Sequence, residues 1–437
     1  MAEFQEVLEE VDEKSKLFAH KDQDDEEQYA GSSGLETLPC LGLEGAHDVV
    51  LIIKTGSTEA MEKLPVHFQT TLNCYKHHLI FSDFSEILEG HAIHDALDQV
   101  TEEIRLGDQA FELWRRLQDG GRHVLDQSDL STNDKGDPES PYGNMNNGGW
   151  RLDKMKNVPM IGKTLEQVPN AKWYVFTDAD TYIVQSNLLQ WTRQLNHKDL
   201  VYMGNPTVIN DQLFAHGGSG YILSSAAMYA ATAEYEQNQE YWDRNAAGHW
   251  AVDCVLGTLL QKVGAELIWA FPIVQRGDPT RRDWQEIGYD KKLWCYPSVS
   301  YHHVKPETII SLFNFEQSWI AADENADNAS PMRHSDVFKM LIQPQLSYEK
   351  SDWDNASDLS QEGQEVDSAL GCRALCEDIR NCFQYSYKEG VCKTATTPKL
   401  GARSEEGRIV SGWMLGRIHR LAQELNWCGG QGEWILG

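Results

Sequence analysis

Two apolar runs that break off abruptly in polar residues constrain the fold of this chain more than any other feature. Val49-Val50-Leu51-Ile52-Ile53 shows no alternation and passes straight into Lys54-Thr55-Gly56-Ser57-Thr58. Trp173-Tyr174-Val175-Phe176 likewise runs into Thr177-Asp178-Ala179-Asp180. A strand apolar on both sides must be covered on both sides, the condition of a parallel sheet between helical layers. Leu79-Ile80-Phe81, closed by Ser82-Asp83, reads as a third such strand. Between them, helical spacing is read over 59–72, over 93–118 (Ile93, Leu97, Val100, Ile104, Phe111, Trp114) and over 152–168. Strand and helix alternate to about residue 270, so the expected class is α/β with a mostly parallel sheet. In such sheets ligands lie beyond the carboxyl ends of the strands, where Asp178 and Asp180 fall.

The flanks read differently. Residues 1–44 form an acidic stem or linker, with eleven Asp or Glu between Glu3 and Glu27. The Ser-, Asn-, Asp- and Gly-rich stretch 128–149 reads as a loop. The core domain is expected over 45–345, and Ser335 to Ile342 is expected to be helical. A polar linker is expected over 346–368 and a Cys-rich module over 369–430. Net charge is −29, from 38 Lys+Arg against 67 Asp+Glu, which excludes nucleic acid as the expected partner. No run of about 18 apolar residues is long enough to span a bilayer.

Nine cysteines are an odd count. Cys372, Cys376, Cys382 and Cys392 cluster without a CxxC pair or nearby His, so disulfides fit them better than zinc. The sequons Asn328-Ala329-Ser330 and Asn355-Ala356-Ser357 point to the same secretory compartment.

Four segments carry chemistry. Asp178-Ala179-Asp180 places two carboxylates at a strand end, the oxygen ligands that Mg²⁺ or Mn²⁺ takes, with an acidic turn as the alternative. Ser300-Tyr301-His302-His303 offers an imidazole as a further ligand, or a buried histidine. His216-Gly217-Gly218-Ser219-Gly220 lets backbone come close to a ligand, or is a tight turn. Asp253, before an apolar helix, is an N-cap or an acid/base.

In this order, together with Leu51-Ile52-Ile53-Lys54-Thr55-Gly56, Leu79-Ile80-Phe81-Ser82-Asp83 and Gly149-Trp150-Arg151-Leu152-Asp153-Lys154, these segments resemble the fringe and core-1 β1,3-galactosyltransferase group, glycosyltransferase family 31, closest to its fungal branch. The resemblance covers about residues 48 to 310. Cys372 to Cys392 resembles a PAN/apple module. What this implies is a GT-A type, Rossmann-like domain followed by a small disulfide-rich α+β module. Carried over by position, Asp180 would bind Mn²⁺ (or Mg²⁺), supported by Asp178, with His302 as third ligand in preference to His303. Asp253 would be the general base. Lys54, Thr55, Asp83 and Asp178 would contact the UDP-sugar, and Gly217, Gly218 and Gly220 would line its pocket.

The resemblance further implies inverting transfer of a hexose, with galactose expected, to a glycan or glycoprotein hydroxyl, forming a β-linkage. Galactofuranose transfer to cell-wall glycans is the alternative within the class. A non-catalytic carbohydrate-binding protein is the alternative outside it, motivated by Ala179 and Val252, which stand where many relatives have acids. A Golgi or secretory-lumen location follows from the resemblance, with membrane contact only through an anchor outside this chain.

Overall fold

The computed structural model describes residues 38–131, 147–322, 330–360, 366–404 and 407–437. Residues 39–437 form one compact unit. Most of the expected stem, most of the loop at 128–149 and Asn328 of the first sequon lie outside the described residues. The stem expectation fails at its end. Packing begins at Pro39, because Cys40 is fully buried and disulfide-bonded to Cys74.

The main sheet is built from β1 (Val49–Lys54), β2 (His77–Ser82), β3 (Glu86–Leu88), β4 (His91–Asp95) and β5 (Trp173–Asp178). A two-residue strand β6 (Tyr182–Ile183) follows outside it. Then come β7 (Tyr202–Gly204), the hairpin β8 (Pro206–Ile209) and β9 (Gln212–Ala215), β10 (Tyr221–Ser224) and β11 (Leu267–Trp269). The order in the main sheet is β11-β7-β10-β5-β1-β2-β4-β3. β1 pairs in parallel with both β2 and β5. All six β1 residues are buried, which is why the run shows no alternation. β10 is antiparallel to both β5 and β7, and β11 is parallel to β7. Lys54, Ser82, Asp178, Gly204 and Trp269 therefore end their strands at one edge, where β10 begins. The mixed α/β class with a mostly parallel central sheet is as expected.

Three local expectations are corrected. Residues 93–118 are not one helix. Ile93 lies in β4, which pairs with β3 across the left-handed Glu89 and Gly90, and α-helix covers only Glu102–Gly107 and Glu112–Gly120, with a 3-10 turn at Gln109–Phe111 between them. The six apolar residues that set the spacing are all buried, so it reported the core rather than the element. The helix expected over 59–72 is split at Pro65, which lacks an N–H, into Ala60–Lys63 and Pro65–Gln69. The stretch expected as a linker, 346–368, supplies Lys350–Ser351, Trp353–Asp354 and Leu359–Ser360.

Two of these belong to a second, antiparallel sheet with Gln384–Lys388, Val391–Ala395 and Ile409–Trp413. Helix Ala369–Asp378 packs on it and is stapled by Cys372–Cys392 and Cys376–Cys382. Asn355 of the second sequon is fully buried and donates its amide to Tyr385 O at 3.0 Å. It is no surface acceptor for glycan, so the secretory reading rests on the disulfides.

The chain then returns to the first sheet's side. Cys428 bonds Cys295 across 133 residues, Trp191 Nε1 donates to Ile435 O at 2.6 Å, and Trp434 stacks on Trp191. Cys254 is the one unpaired, buried thiol. Among the described residues no helix is long and apolar enough to cross a membrane. Replacing Cys295 and Cys428 together by Ser is expected to lower stability by about 2–5 kcal/mol in urea titration, because this bridge closes the longest loop. An unchanged midpoint would show that the C-terminal return holds without it.

Candidate active site

The Asp178–Thr181 turn is fixed from three sides. Ala179 N–H donates to Lys54 O at 3.0 Å, Thr181 N–H donates back to Asp178 O at 3.0 Å, and Val304 N–H donates to Asp180 O at 2.8 Å. The Ala179 carbonyl accepts from His67 Nε2 at 2.8 Å. Since a carbonyl only accepts, the His67 proton sits on Nε2 and its Nδ1 accepts from the Thr71 hydroxyl at 3.2 Å. Burial holds the His67 pKa below its usual value, consistent with a neutral ring.

Strand Ser300–Tyr301 pairs antiparallel with β6, which brings His302 and His303 to Asp180 from more than a hundred residues away. His302 Nδ1 lies 3.2 Å from Asp180 Oδ1, and His303 Nδ1 lies 3.7 Å from Oδ2. The Thr181 hydroxyl donates to Gly218 O at 2.6 Å, so at 2.8 Å it accepts from His302 Nδ1. The hydrogen is thereby assigned to Nδ1 and the Nε2 lone pair is left available. His303 sits at φ 56°, a left-handed conformation that a non-glycine residue adopts at a cost. Asp180, His302 and His303 have ligand-type atoms within 4.8 Å of one another. One carboxylate with two imidazoles suits a cation that accepts oxygen and nitrogen, such as Mn²⁺, better than Mg²⁺.

Asp178 is not in that cluster. Its carboxylate faces Lys54 Nζ at 3.3 Å, and the same ammonium reaches Asp153 at 2.6 Å. Lys156, 1% exposed, adds a second bridge to Asp153 at 3.5 Å, pairs with Asp83 at 3.4 Å and donates to Thr55 O at 2.6 Å. Asp83 caps Ser57 N–H at 2.9 Å. Lys54, Thr55 and Asp83, expected at a nucleotide, are all buried, and each has protein partners that hold the turn after β1.

Electrostatics follow from this crowding. Burial pushes Asp180 upward, yet His302 and Lys63 outweigh it and hold the carboxyl well below the usual range. Lys63 Nζ stands 3.1 Å from Asp180 and 2.8 Å from Glu59. The hydrogen bond to Asp180 raises His303. Burial depresses Lys54, but Asp153, Asp178 and Asp253 reverse that and hold it well above its usual value.

Asp253 occupies the first turn of helix Val252–Lys262, whose N-cap is Ala251, so the capping alternative does not hold. Its carboxylate is half-buried and accepts from Gly217 N–H at 2.7 Å and Asn157 Nδ2 at 2.8 Å. Burial raises its pKa despite Lys54 and the Gly217 N–H. The glycines explain themselves here. A Cβ on Gly217 would lie 2.5 Å from Asp253 Oδ1, and one on Gly218 would lie 2.4 Å from His302 Nε2. Gly220 adopts φ 88°. The turn thus spans both side chains, the acid on one residue and the imidazole on the next.

Sequence reasoning missed His67, Lys63 and Lys156 and set His303 aside. The one available signal was position: Lys63 and His67 lie in the helical stretch that follows the turn after β1.

Residues 125–273 match the family model described as Fringe-like, a family of glycosyltransferases. The match contains Asp178, Asp180, Gly217, Gly218, Gly220 and Asp253. Lys54, Asp83, His302 and His303 lie outside it.

His67→Ala strands the buried Ala179 carbonyl and is expected to cost about 1–3 kcal/mol in urea unfolding. An unchanged midpoint would remove His67 from the support of the turn. Asp253 has a folded pKa above its unfolded one, so the native state binds the extra proton and stability falls as pH rises between the two values. The stability of Asp253→Asn relative to wild type should therefore grow from acid to neutral pH. A constant difference would contradict the buried-acid reading.

Proposed function

We propose, from the premise that the chain carries a Fringe-like glycosyltransferase domain over residues 125–273, that it transfers a hexose from a UDP-sugar to a hydroxyl of a glycan or glycoprotein with inversion. Galactose is the proposed hexose and a β-linkage the proposed product. The observation that carries this is the Gly217-Gly218 turn. It sets Asp253 and the Asp180–His302–His303 cluster side by side at the carboxyl edge of the sheet.

Asp180, His302 and His303 would hold a divalent cation, Mn²⁺ by donor chemistry, whose charge would stabilise the departing diphosphate. Thr181 orients His302 through Nδ1, as partners of ligating histidines do. Lys54 keeps Asp178 and Asp153 in place, and the turn 54–58 would border the nucleotide. Asp253 would take the proton of the acceptor hydroxyl as that oxygen attacks the anomeric carbon. Its raised pKa makes it a stronger base than an exposed carboxylate, while Lys54 favours the ionised form. Gly217 N–H and Asn157 Nδ2 fix the direction of its lone pairs. Four disulfides support a secretory compartment, with the Golgi as the proposed station.

The test is UDP release from a panel of UDP-sugars, galactofuranose included, with Mn²⁺ and then with EDTA. Release from one donor that EDTA abolishes is expected, and Asp253→Asn should lower transfer by about 10²–10⁴-fold. Release unaffected by EDTA would sink the cation, and full turnover in Asp253→Asn would sink the base.

A further inference from the structure

A cavity of about 690 Å³ opens at the seam between residues 278–345 and the C-terminal part of the chain that carries the second sheet. One wall comes from 278–281 and from the start of helix Pro306–Ala321, the other from 352–353, 400–404 and Gly407. The seam is pinned. Gly401 N–H donates to Thr280 O at 2.8 Å, and Gln285 Nε2 donates to Thr396 O at 2.9 Å. Gly401 has φ +72°, and a Cβ there would lie 1.9 Å from Asp354 O, so the turn admits only glycine.

Three cations, Arg281, Lys305 and Arg403, line this cavity, and none is in an ion pair among the described residues. Three acids, Asp278, Glu307 and Asp352, line it too, so among the described residues its formal charge balances. A phosphate site concentrates positive charge, which the described lining does not. Interleaved donors and acceptors beside hydroxyls (Thr280, Thr308, Ser311) and one indole match a polyhydroxylated ring, whose vicinal hydroxyls both donate and accept. The indole is Trp353. Its Nε1 donates to Leu400 O at 2.6 Å and Lys350 Nζ stands 4.0 Å over the ring, so its orientation is set. Lys305 follows His303 by two residues, which joins this wall to the strand that carries the cluster.

We propose that the seam cavity is a second saccharide site that takes a neutral oligosaccharide, the non-reacting arm of the acceptor glycan. Saccharide binding stands apart from the transfer reading; only the role as acceptor arm rests on it.

The test is calorimetric titration of the full chain with neutral trisaccharides of mannose, galactose, glucose and N-acetylglucosamine, under saturating UDP and Mn²⁺. At least one is expected to bind, with inorganic phosphate unable to compete. Arg281→Ala and Glu307→Gln, both at exposed positions, should each weaken it about tenfold or more, the effect of losing one charge-assisted hydrogen bond. Asp253→Asn should leave it unchanged. No binding by any trisaccharide, competition by phosphate, or wild-type affinity in both wall variants would overturn the proposal. Trisaccharide binding with no UDP release from any donor would retire the transferase reading and leave the saccharide site standing.

Discussion

A carboxylate at the end of a buried strand has to be neutralised, and this structure is organised around that requirement. Asp153, Asp178, Asp180 and Asp253 converge on one edge of the sheet, in a chain already carrying −29. Lys54 answers the first two, and Lys63 with the histidine pair answers the third. Asp253 is answered least: neutral amides hydrogen-bond it and Lys54 acts on it from farther off, so burial wins and its proton affinity rises. The division separates a carboxyl kept ionised, which on the proposed reading would hold a cation, from one that on that reading would exchange a proton. Paired titratable groups pushed in opposite directions are what acid/base sites have in common.

The glycine turn makes that separation geometrically possible. Gly217 and Gly218 carry no side chains because Asp253 and His302 fill the space where side chains would stand. Thr181 ties the same turn to His302, and Val304 ties the histidine strand to the Asp180 backbone. The acid, the imidazole pair and the carboxylate thus share a backbone scaffold rather than a set of flexible contacts, the preorganisation that electrostatic catalysis needs.

Much of the first sheet was legible because β1 and β5 are covered on both faces, and an apolar run without alternation has few other uses. Asp180, His302 and Asp253 were legible through their order along the chain. His67, Lys63 and Lys156 were not, because each acts through partners that only the fold brings near, such as the Ala179 carbonyl 112 residues from His67. Ile93 misled because a core residue in a short strand can fall in step with a helical period. The second sheet was under-read for a related reason. Its strands at 350–360 are two residues long and polar, and Cys428 pairs with Cys295 rather than within the Cys cluster. The buried Asn355 shows how little a three-residue sequon says without its burial.

The most direct measurement on the central claim is Mn²⁺ binding followed by electron paramagnetic resonance, with UDP present, in the wild type and in Asp180→Asn, His302→Ala and His303→Ala. One Mn²⁺ per chain, weakened in all three variants, is the expected result. Wild-type Mn²⁺ affinity in Asp180→Asn would contradict it, because the cation would then be held elsewhere and the charge balance at the sheet edge would serve stability alone.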